Sequence, residues 1–145
     1  MIVTHPHVPV HDADLSRLDR DALILTAEER RWGRRRVTTE KGRELALALP
    51  TGSVLTPGAI LYVARDWYVV IEGAREPVLA VTPRSHEEGL RVAFEVGNRH
   101  FPLAIDGHRL LVPDDSAMEH LLERLGVPWQ RDQAPFVPLG VAHRH

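Results

Sequence analysis

Nine histidines and no cysteine set the chemistry open to this chain of 145 residues. Without thiolates there is no Fe–S cluster, no Cys-type zinc site and no cysteine nucleophile, so any metal site must rest on imidazole, carboxylate or backbone oxygen. His5, His7 and His11 lie near the amino terminus, and His143 and His145 lie at the carboxyl end. His100 stands apart, in the run Gly97-Asn98-Arg99-His100-Phe101-Pro102-Leu103.

Two accounts of His100 follow from its place between a helix and a strand. A protonated imidazole just past a helix C-terminus is favoured by the macrodipole and satisfies terminal carbonyls. Alternatively, neutral imidazole is a ligand for Ni, Zn or Cu. One imidazole cannot hold an ion alone. A two-fold axis would bring His100 against its own copy, since an isologous interface pairs a near-axis residue with itself. The terminal pair His143 and His145 could complete a shell, or could be an inert tail. His108, Asp114 and Asp115 are other conceivable partners, but their spacing carries no metal signature. His5-Pro6-His7 and His11 are a weak metal candidate, and His86, His120 and His108 are expected on solvated faces.

The elements that must position these residues divide into two kinds. In the first half, Leu45, Leu47 and Leu49 alternate at period two after the turn-forming Glu40-Lys41-Gly42, which predicts a hairpin. Thr56-Pro57-Gly58 precedes AILYV, and Arg65-Asp66 separates that run from WYVVI. Short strands with such turns predict a small all-β domain over 1–76. The leading DADLSRLDRDALILTAEERR is too charged to read beyond strand or irregular chain.

From residue 77 onward the pattern mixes helix and strand. Val78 to Val81 is a short strand, and Ser85 with Glu88 offers a capping box before Leu90, Ala93, Phe94 and Gly97 at helical spacing. That stripe is expected to face a sheet, with Gly97 and Asn98 ending the helix. Phe101, Leu103 and Ile105 then alternate as a strand, Asp106-Gly107 turns, and Arg109 to Val112 returns. A second box, Ser116 to Glu119, opens a helix carrying Met118, Leu121, Leu122 and Leu125, closed by Gly126 and Pro128, and a last strand falls within 127–137. The order βαββαβ is that of ferredoxin-like domains, so the fold class is α+β, with the second domain over 77–145.

Composition narrows the function. A net charge of -2 gives no global field for nucleic acid. The basic block Arg30-Arg31-Trp32-Gly33-Arg34-Arg35-Arg36 is flanked by Glu28, Glu29 and Glu40, which suits a solvated β-edge or a patch for an acidic protein. No stretch approaches the roughly 20 apolar residues of a membrane span, and a cytoplasmic protein is expected. No phosphate loop, Ser-His-Asp spacing or HExxH motif occurs. A hydrolytic metal centre from His100 with Asp114 or Asp115 would lack an assembled nucleophile and base.

Gly-Asn-Arg-His after an apolar helix, with the upstream RRWGRRRVTTEKGRELALALPTGSVLTPGAIL, resembles the UreE family of urease accessory proteins over nearly the whole chain. The resemblance implies a dimeric, non-enzymatic nickel metallochaperone with a peptide-binding-like first domain and a metal-binding, dimerising second domain. It implies His100 as a ligand at the dimer interface and His143 and His145 as further ligands of the tail. Its implied cargo is Ni(II), with Zn(II) and Cu(II) competing in vitro, and its implied partners are a second copy, the urease accessory GTPase and the urease apoprotein complex. Where many members carry a His-Asp-His element, this chain has Val112-Pro113-Asp114-Asp115-Ser116, which argues against an accessory site there. The alternative is a dimeric peptide-binding module in which metal is incidental. Because imidazole must be neutral to bind, occupancy should fall on acidification.

Overall fold

Leu45, Leu47 and Leu49 all point into a core, as their period-two spacing predicts. They belong to the first of two units found in the computed structural model, whose description covers residues 1–140: Met1–Ala74 and Arg75–Gly140.

The first unit holds two three-stranded sheets. In one, β1 (Ile2–Val3) runs parallel to β4 (Glu44–Ala48), and β4 pairs antiparallel with β3 (Arg34–Thr38). In the other, β6 (Trp67–Gly73) lies between β2 (Asp19–Leu25), which is parallel to it, and β5 (Ile60–Val63), which is antiparallel. Leu23, Leu25, Val37, Leu45, Leu55, Leu61, Val69 and Ile71 fill the space between.

The charged leading segment resolves into a single helical turn, α1 (Asp12–Leu15), then β2 and a 3-10 turn, Glu29–Arg31. On β2, Asp21 occupies the same inward face as Leu23 and Leu25, so a buried carboxylate stands where the alternation calls for an apolar side chain. Its carboxylate accepts from Thr39 Oγ1, from the Arg43 guanidinium and from the N–H groups of Lys41 and Ala22. Burial pushes this carboxyl up, but those donors outweigh it and hold the group below its ordinary value.

The second unit is a four-stranded antiparallel sheet in the order β10-β7-β9-β8, formed by β7 (Arg75–Val81), β8 (Ala104–Asp106), β9 (Arg109–Pro113) and β10 (Trp129–Pro135). Helix α2 (His86–Asn98) joins β7 to β8, and α3 (Ser116–Leu125) joins β9 to β10. The expected βαββαβ arrangement is present.

Its details depart from expectation in three places. First, α2 buries Val92 and Val96, each 0% exposed, while Leu90 and Phe94 are 60% and 69% exposed. Both sets recur at helical spacing, and the compact valines are the ones packed against Leu79, Val81 and Val112 of the sheet. Second, Ala104 rather than Ile105 is the buried residue of β8. Third, the cap of α3 is Asp115, whose side chain accepts from Ala117 N–H, so Ser116 is already helical. At α2 the expected cap forms: Ser85 accepts from Glu88 N–H. Among the described residues no helix is long and apolar enough to cross a membrane.

Candidate metal centre

Helix α2 ends at Asn98, as expected, but the left-handed residue that closes it is His100 rather than Gly97 or Asn98. His100 has φ 62 and is the one non-glycine residue with positive φ among the described residues. Its N–H donates to Gly97 C=O at 3.0 Å, and Phe101 N–H donates to Val96 C=O at 3.3 Å. This pair of bonds, with a left-handed residue at the fifth position, is a Schellman closure. Val96, in the core of the second unit, and Phe101, half-buried against that core, are the apolar pair that accompanies it.

A left-handed conformation costs a non-glycine residue about 1–2 kcal/mol, although histidine tolerates it better than branched side chains. Glycine would close the helix more cheaply, so an imidazole here is retained against the preference of the backbone. Arg99 turns back along the helix instead, donating to the Glu95 carbonyl at 3.0 Å and to the Glu95 carboxylate. His100 is left exposed at the helix end.

The carboxyl-terminal chain returns to this place. After β10, Phe136 is buried, and Leu139 N–H donates to Leu103 C=O at 2.8 Å, three residues beyond His100. His143 and His145 lie outside the described residues.

Among the described residues the remaining histidines do not assemble a site. His86, His108 and His120 are exposed, as expected, and so are His5, His7 and His11. His5 and His7 border a shallow hollow with Pro6, Val8 and Pro9, all from one extended segment. Among the described residues no three His, Asp or Glu side chains come together closely enough to hold an ion. Asp114 and Asp115 are committed elsewhere: Asp115 caps α3, and Asp114 lies 3.8 Å from Arg131. A complete shell around His100 therefore needs groups from outside residues 1–140 of one chain.

Comparison with known sequences fits this geometry to a family. Residues 3–74 match the family model described as UreE urease accessory protein, N-terminal domain, and residues 76–145 match its C-terminal domain. The chain belongs to the UreE urease accessory protein family. A urease accessory protein UreE of Deinococcus radiodurans is 44% identical over 112 residues, covering 77% of this chain and 72% of the relative. One from Ralstonia nicotianae is 36% identical over 151 aligned positions, covering the whole chain and 72% of the relative. Another, from a Synechococcus species, is 40% identical over 114 residues, covering 79% and 76%.

The strained conformation of His100 is what reading the sequence missed, because Gly97 and Asn98 offered more usual left-handed residues nearby. A signal was present in Val96 and Phe101, an apolar pair five residues apart that brackets a Schellman closure and puts His100 at its left-handed position.

Proposed function

We propose that the protein is a non-enzymatic, homodimeric nickel carrier that delivers Ni(II) to urease during its maturation in the cytoplasm. The observation that carries this reading is His100: an exposed imidazole, kept in a conformation that disfavours it, at a helix end in a chain of the urease accessory family.

The outer face of α2 supports the dimer. Leu90 and Phe94 stand exposed one helical turn apart on the helix that ends at His100. Burying a large side chain of this kind contributes about 1.5–3 kcal/mol, so a second copy covering both would gain substantially. An isologous contact along this face brings two copies of His100 together, and one residue per chain then supplies two ligands.

His143 and His145 supply further nitrogen in this proposal. Imidazole nitrogens bind borderline divalent ions and exchange them when few are engaged. The Irving–Williams order makes Zn(II) and Cu(II) competitors in vitro. Delivery then proceeds by docking on the urease apoprotein and its accessory GTPase, where a better matched site takes the ion.

The test is to measure nickel stoichiometry by equilibrium dialysis and molar mass by light scattering, on the wild type and on His100→Ala. The expected result is a dimer holding about one tight ion per two chains, and a dimeric variant that has lost it. A monomer, or a variant that binds nickel unchanged, would refute the symmetric site. Partners retained by His100→Ala while urease activation is also retained would favour the peptide-binding module with incidental metal.

A further inference from the structure

We propose that the open edge of β3 accepts an extended acidic segment of a protein partner as an added strand. The argument rests on the first unit alone and does not depend on the nickel reading.

β3 is an end strand of its sheet, paired only with β4. Leu49 N–H donates to Gly33 C=O, and Thr39 N–H donates to Arg43 C=O, each at 2.8 Å. Both pairs continue the register that sets Arg34 opposite Ala48 and Thr38 opposite Glu44. Opposed residues of an antiparallel ladder alternate between hydrogen-bonded and non-bonded pairs. Residues 33, 35, 37 and 39 therefore turn their backbone groups to β4, and Arg34, Arg36 and Thr38 turn theirs to the open side.

Among the described residues no backbone bond meets those outward groups. Past Thr38 the edge closes, because Glu40 N–H donates to Ala22 C=O at 2.8 Å. The open window is thus Arg34–Thr38, roughly 13 Å of strand.

The side chains on this window state the partner's charge. Arg34 and Arg36 are exposed, and no ion pair engages them or Arg31 among the described residues. Their register neighbours on β4 are Ala48 and Ala46, too short to shield a guanidinium. Glu44 stands opposite Thr38, so a ligand's acidic residues belong toward the Arg34 end. There Trp32 lies 43% exposed, with the Arg35 guanidinium 4.4 Å from its ring centre. A second copy of β3 would set arginine against arginine, which like-charge repulsion disfavours. An acidic strand gains backbone bonds and charge pairs together.

The experiment uses the full chain and a fluorescein-labelled peptide of alternating valine and glutamate, read by anisotropy, with amide hydrogen exchange on the same samples. Binding is expected to slow exchange at the Arg34, Arg36 and Thr38 amides. Arg34→Glu with Arg36→Glu should weaken the peptide at least tenfold. Arg36→Pro should do the same, since it removes an outward N–H that the β3–β4 ladder does not use. Any of three results would overturn the proposal. The peptide fails to bind while the glutamate variant aggregates, which leaves the arginines as mere guards of the edge; it binds without protecting those amides; or an oligouridylate binds as tightly.

Discussion

Helices α2 and α3 of the second unit both close on a left-handed residue but use different residues and different hydrogen bonds to do so. α3 ends on Gly126 at φ 69, its N–H shared between the carbonyls of Leu122 and Glu123. α2 ends on His100 at φ 62. Their outer faces differ in parallel: α3 presents Glu119, His120, Glu123 and Arg124 outward and buries Met118, Leu121 and Leu122, whereas α2 buries two valines and exposes Leu90 and Phe94. α3 thus uses the least strained cap and a polar exterior. α2 departs from both habits at once, and the proposed nickel site and dimer face rest on those two departures.

The widest gap between the helices should open with Leu90→Asp and Phe94→Asp together. If a second copy covers that face, the substitutions weaken the dimer at least a hundredfold, about 2.7 kcal/mol or more, as read by analytical ultracentrifugation. A dimer that survives them would assign the interface to another surface. Gly126→Ala should destabilise the chain by about 1–2 kcal/mol, because the left-handed cap of α3 then carries a Cβ. Thermal melting checks it, and an unchanged midpoint would mean that the closure relaxes without cost.

The mirror substitution, His100→Gly, should move the other way, raising metal-free stability by about 1 kcal/mol in urea titration while removing the proposed nickel site. A lower midpoint would show that His100 is a stabilising cap after all, and would place α2 with α3. The smallest effect belongs to Gly97→Ala. This glycine sits inside α2, a Cβ there would meet nothing within 4 Å, and the helix should gain about 0.5–1 kcal/mol. A loss would imply a crowded helix surface at Gly97.

Much of this was legible in residue order. The βαββαβ succession, the leucine-rich hairpin and the caps at Ser85 and Gly126 all follow from local chemistry. Harder to read was any choice that the rest of the chain makes. Val92 and Val96 compete with Leu90 and Phe94 for the core, and only the sheet beneath decides between them. Asp21 breaks the apolar alternation of β2 because its partners Thr39 and Arg43 lie 18 and 22 residues away. His100 could be singled out from its neighbours, but its backbone strain depends on where the helix stops.

The two N–H groups that close α2 also bear on the entropy of binding. Fixing one residue's backbone costs about 1–2 kcal/mol of conformational freedom. At His100 that loss is incurred on folding, since its own amide and that of Phe101 are already tied to helix carbonyls. If His100 holds an ion as proposed, its own share of the ordering is confined to the side chain, and release leaves its main chain unchanged.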